Sequence, residues 1–72
     1  MQTAQRLDLA IELARKLGYQ VRFEHLDGNA GGGCQIRGTK VLFVDLALSP
    51  HEQLNQVIAA LQRDETLARL AS

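Results

Sequence analysis

Tryptophan is absent from these 72 residues, and cysteine, proline, methionine and tyrosine occur once each. The single cysteine, Cys34, cannot close an intramolecular disulfide, so no oxidising compartment is required. No apolar run approaches the roughly 18 residues of a membrane-spanning helix. Neither sign of charge prevails: eight Lys+Arg balance eight Asp+Glu, for a net charge of zero. The cationic field that nucleic acid and anionic membranes select is therefore missing. The spacings C-x-x-C and H-x-x-x-H are also missing, so no metal or other cofactor is expected. The N-terminal stretch carries Asp8 and Glu12, unlike the apolar core of a secretory signal or an acid-poor transit peptide. The expected location is the cytoplasm.

What is present is apolar content, 46% of the chain, enough to argue for a folded domain rather than disorder. The length allows one domain, residues 1–72. A chain this short buries only about 60% of its unfolded surface. A homodimer or another protein partner is accordingly expected.

Residues 3–17 read as a helix with Leu7, Ala10, Ile11, Ala14 and Leu17 on one face, and with Leu9 and Leu13 widening the stripe. Thr3 can cap its start, and Gly18 stands where a helix takes a left-handed residue. Over 19–25 the period changes: Tyr19, Val21, Phe23 and His25 alternate with Gln20, Arg22 and Glu24, the pattern of a half-buried strand. Residues 27–33 hold four of the six glycines and read as a loop. A hairpin follows, with Cys34 and Ile36 on one face of a short strand, a turn at Arg37-Gly38-Thr39-Lys40, and Val41-Leu42-Phe43-Val44 as an apolar strand covered on both faces or placed inside the sheet. Ser49-Pro50-His51-Glu52 is a strong helix start. Leu54, Val57, Ile58 and Leu61 form that helix's buried face, and the period fails at Asp64 and Glu65.

The order is α-β-β-β-α, and the simplest α+β closure is a three-stranded antiparallel meander with both helices packed on one face. Pairing of the first strand with the third is the alternative.

Four chemistries can be weighed. Gly31, Gly32 and Gly33 could present backbone N–H groups to an anion, but a phosphate loop opens a helix, whereas this one leads into a strand. Cys34 could act as a nucleophile with His25 or His51 as its base; the plainer reading is a small buried side chain. Arg22, Arg37 and Lys40, with Tyr19 or Phe23 for stacking, could meet nucleic acid from one sheet face; the plainer reading is a solvated surface of mixed charge. Val44, in the apolar strand, and Leu67 and Leu70, which fall off the Leu54–Leu61 face, are candidates for contact with another protein chain.

The run Gly-Gly-Gly-Cys-Gln-Ile-Arg-Gly-Thr-Lys from Gly31 to Lys40 is similar to small uncharacterised bacterial proteins with a G-G-x-C-x-I-x-G hairpin. With Ser49-Pro50-His51-Glu52-Gln53 it also resembles the front half of zincin-like peptidases of the phage-repressor-cleaving type. In those enzymes H-E-x-x-H follows on the second helix. Here the same count gives Ala59-Ala60-Leu61-Gln62-Arg63, which can neither hold zinc nor activate water. The resemblance thus implies a scaffold without an active site.

The expected function is that of a small non-enzymatic scaffold acting by self-association or protein binding. A small-ligand or thiol-based activity at Gly31, Gly32, Gly33 and Cys34 is the alternative, and a nucleic-acid-binding regulator a further one.

Overall fold

A computed structural model of the chain describes residues 2–26, 31–65 and 69. The elements run α1 (Thr3–Lys16), β1 (Gln20–Glu24), β2 (Gly32–Ile36), β3 (Thr39–Asp45) and α2 (Pro50–Gln62). The α-β-β-β-α order and the α+β class follow the sequence expectation. The purely antiparallel meander does not. The strand order is β1-β3-β2, with β3 antiparallel to β2 but parallel to β1. The reason lies in composition. A meander would put Gly32-Gly33-Cys34-Gln35-Ile36 in the middle, where it has little to bury. The observed order gives the centre to Val41-Leu42-Phe43-Val44, the most apolar strand.

Both helices cover one face of the sheet. Leu42 and Val44 point into that layer and meet Leu7, Ile11 and Ala14 of α1 and Leu54, Val57, Ala60 and Leu61 of α2. The Cα trace spans 33 × 32 × 15 Å, the thickness of one helix layer on one sheet. The register puts Arg22 beside Phe43, and Cys34 beside Val41, on the other face, which carries no helix. There Arg22 lies over the Phe43 ring at 5.9 Å and pairs with Glu24 at 2.8 Å.

Three side chains break the expected helix faces. Leu9 and Leu13 are largely exposed on α1, and Ile58 on α2, with Ala60 taking the buried place instead. The stripe on α1 is narrower than its leucine content suggested, because a three-stranded sheet is too small to cover a wide one.

The termini of the elements follow local rules. Ser49 Oγ accepts from the Glu52 amide at 3.3 Å, and Glu52 Oε1 accepts from the Ser49 amide at 3.4 Å, a reciprocal cap. At the start of α1 the cap position is Gln2 rather than Thr3, and the Gln2 amide donates to Gln5 Oε1 at 3.3 Å. α1 ends with the Tyr19 amide donating to the Ala14 carbonyl and the Gly18 amide to the Arg15 carbonyl, both at 3.0 Å. Gly18 at φ 96° supplies the left-handed residue that this closure needs. The β2–β3 turn is two residues, Arg37 and Gly38, both at positive φ, so Thr39 and Lys40 belong to β3.

The groove beside an open strand edge

Beyond Phe43 the central strand outruns β2, which begins at Gly32. The next main-chain groups on that side belong to Asp45. Its amide donates to Gln56 Oε1 at 3.1 Å and its carbonyl accepts from Gln53 Nε2 at 3.0 Å. Two α2 glutamines thus continue the ladder where the strand stops, as buried backbone groups require. Asp45 itself is buried, and its Oδ1 accepts from the Ala47 amide at 2.9 Å and the Leu26 amide at 3.4 Å. The Gln56 position explains Gly31. A Cβ there would overlap the Gln56 amide and lie 3.0 Å from the Phe43 carbonyl.

These contacts form one end of a groove of about 700 Å³ between β2 and α2. Gly31, Gly32, Gly33, Cys34 and Gln35 form one wall; Gln56, Ala59, Ala60 and Arg63 form the other. At the far end Tyr19, Lys40 and Asp64 come together. Tyr19 Oη donates to Asp64 Oδ2 at 2.6 Å, and Lys40 Nζ pairs with the same oxygen at 2.9 Å. The ammonium also donates to the Leu17 carbonyl at 2.8 Å, neutralising the negative end of α1, and lies 4.5 Å from the Tyr19 ring centroid. Burial, then the Asp64 hydrogen bond and the Asp64 charge, push the Tyr19 hydroxyl up to about 12. It stays a neutral donor throughout the physiological range. The cluster ties the end of α2 to the end of α1 and to the sheet, so its chemistry is spent on holding the groove's shape.

The sequence candidates separate accordingly. Gly31, Gly32, Gly33 and Cys34 do line one groove, but Gly32 and Gly33 are strand residues rather than loop. Asp27, Gly28, Asn29 and Ala30 lie outside the described residues. Cys34 is exposed, not buried as the plainer reading had it. His25 follows the end of β1 at the opposite edge of the sheet; two strand spacings and five residues of rise put it roughly 19 Å from Cys34. His51 is in the first turn of α2. Neither histidine assembles with the thiol as a dyad on this topology. Among the described residues no three of His, Cys, Asp and Glu come together.

Arg22, Arg37 and Lys40 do not make one surface. Arg22 is on the helix-free face, Arg37 is at the hairpin tip, and Lys40 turns under the helices to Asp64. Tyr19 and Phe23 share the helix side of the sheet, not the face carrying Arg22. Val44 is fully buried beneath the helices and cannot be a contact surface. Leu67 and Leu70 lie outside the described residues.

Sequence reasoning missed the Tyr19–Lys40–Asp64 cluster. Its only signals were a lysine in a hairpin and an aspartate at a helix break. It also missed the outer edge of β2. Among the described residues nothing pairs with that edge, and Gly33, Cys34, Gln35 and Ile36 are all exposed. No described helix is long and apolar enough to cross a membrane. No family model, curated protein or solved structure matches the chain.

Proposed function

We propose that this chain is a non-enzymatic protein-binding scaffold, and that it binds by adding a strand to the outer edge of β2. The observation that carries the reading is the edge itself: a five-residue strand, Gly32–Ile36, bonded to β3 on one side and, among the described residues, to nothing on the other, with no charged side chain in it. Charges, bulges and prolines are the usual protection of such an edge. The opposite edge strand, β1, has a charged side chain at Arg22 and at Glu24. The polar groups of the groove favour the same reading, because Lys40 and Asp64 already engage each other and Tyr19. The peptidase resemblance is compatible with it: Ala59, Ala60 and Arg63 stand on the groove wall where catalytic groups would be.

Native mass spectrometry at two concentrations, on the wild type and on Gln35→Pro, tests the proposal. A complex formed by the wild type and lost with the proline supports it. Equal association by both proteins overturns the edge as the contact.

A small-ligand activity remains the second reading, favoured by the 700 Å³ groove beside the exposed thiol. It predicts an added mass retained on the monomer and released by Gly33→Val.

A further inference from the structure

The hydrogen-bond parity of β2 can be fixed from two directions. A two-residue loop makes its flanking residues, Ile36 and Thr39, a hydrogen-bonded pair. Alternation then directs the main-chain groups of Ile36, Cys34 and Gly32 inward to Thr39, Val41 and Phe43. The Asp45 backbone, which points to the β2 side and is taken by Gln53 and Gln56, has the same parity as Phe43 and agrees. The main-chain groups of Gly33 and Gln35 are therefore the ones that face outward.

The side chains of this strand are graded along its length. Gly32 and Gly33 are at one end, Gln35 and Ile36 at the other, and Cys34 is in the middle. Gly32, Cys34 and Ile36 share the helix-free face, where Gly32 neighbours Phe43. Gly33 and Gln35 share the helix face, where a Cβ on Gly33 would sit 3.4 Å from the Tyr19 ring and 3.7 Å from the Ala60 methyl.

We propose that the strand added to β2 is β2 of a second copy of this chain, antiparallel and centred on a two-fold axis at Cys34. This rests on the strand-addition reading above. In that register Gly33 faces Gln35 of the other copy, and each such pair exchanges two main-chain bonds, using the outward groups and no others. Cys34 faces Cys34 at a non-hydrogen-bonded position, as its inward parity demands. On the helix-free face the half-exposed Ile36 of each copy lies over Gly32 of the other, and Gly32 leaves it open to reach Phe43. On the helix face Gln35 of each copy lies over Gly33 of the other and enters the groove beside Tyr19. Small residues meet large ones on both faces at once. Self-pairing meets no like-charge repulsion, because residues 31–36 are uncharged. The groove of one copy is thereby completed by a residue of the other.

Thiol cross-linking of the full chain tests this. The oxidant is diamide: two Cys34 thiols form one disulfide and lose two protons and two electrons, and the azo reagent becomes its hydrazine. Non-hydrogen-bonded partners have Cα atoms about 4.5 Å apart, within disulfide range. The expected result is a covalent dimer that forms at least about tenfold faster than in the variant Cys34→Ser/Ile36→Cys, whose cysteine Cα atoms would lie roughly 14 Å apart in this register. Gln35→Pro removes an outward N–H from each copy without removing a ladder bond. It should raise the dimer dissociation constant about tenfold or more. Ile36→Lys, at a half-exposed position, is the second disrupting variant should the proline impair folding.

A non-covalent dimer that cross-links as fast or faster through residue 36 overturns the register and leaves strand addition standing. A chain that stays monomeric up to near-millimolar concentration overturns the second copy as occupant, and a foreign extended segment would then be the partner. Association that Gln35→Pro and Ile36→Lys both leave intact overturns strand addition itself.

Discussion

Tyr19 is the only tyrosine and tryptophan is absent, so the ultraviolet absorbance of the phenolate reports the Tyr19–Asp64 contact with no background. In the unfolded chain the hydroxyl ionises near its ordinary 10.0; in the folded chain burial and Asp64 raise it to about 12. The neutral form is the one the fold favours. The contact's contribution is complete below pH 10 and is lost as pH climbs through 12. Two pH units correspond to about 2.7 kcal/mol. Solvent reaches the half-buried ring and screens the interaction, which brings the realised contribution to about 1 kcal/mol. Asp64→Asn keeps the burial but removes the charge and weakens the acceptor. The Tyr19 midpoint should then fall part of the way back toward 10.0. The same change deprives Lys40 of its counter-ion. Removing one partner of a buried pair costs about 3–5 kcal/mol, and the 22% exposure of the Lys40 side chain lowers this to about 2 kcal/mol. A domain of this size has about 4–11 kcal/mol in total, so the variant should still fold, with a lower urea midpoint. A native Tyr19 midpoint near 10, or one that Asp64→Asn leaves unmoved, would refute the reasoning.

Ser49→Ala should cost about 1 kcal/mol in urea denaturation, because the Glu52 amide loses its cap while the Pro50 start remains. Gly18→Ala and Gly31→Ala should both destabilise, for different reasons that amide NMR separates. The first is strained by its φ of 96° with no atom within 4 Å, and leaves the Asp45 amide unshifted; the second displaces Gln56 and moves the Asp45 resonance. Leu42→Ala, in the fully buried centre of β3, should cost about 2–5 kcal/mol. Leu9→Ala, half exposed on α1, should change the urea midpoint little.

Much of the fold was readable locally. Gly18, Ser49-Pro50-His51-Glu52 and the failure of period at Asp64 each set a helix end within a residue or two, because capping depends on near neighbours. Strand order was not readable in this way. It depends on which strand gains most from the centre, and the apolar Val41–Val44 run decided it against chain order. The glycines misled for a related reason. Gly32 and Gly33 look like loop in isolation, yet both sit in a strand, Gly33 where Ala60 of α2 and the Tyr19 ring pack close above, and Gly32 at a φ of 122° where a side chain would be strained. The groove was half legible. Gly31 to Cys34 could be marked in advance, but Tyr19, Lys40 and Asp64 meet only through the parallel β1–β3 pairing and the end of α2. Val44 showed the limit of reading an apolar run as a surface: a strand's two faces are distinguished only once it is known what lies on each.

Amide exchange at three adjacent residues tests the central claim most directly. The Cys34 amide points into the sheet and should be protected at every concentration. The amides of Gly33 and Gln35 point outward, so they should exchange fast in dilute solution and slow markedly as the chain associates. Association that leaves Gly33 and Gln35 in fast exchange would contradict strand addition at the β2 edge.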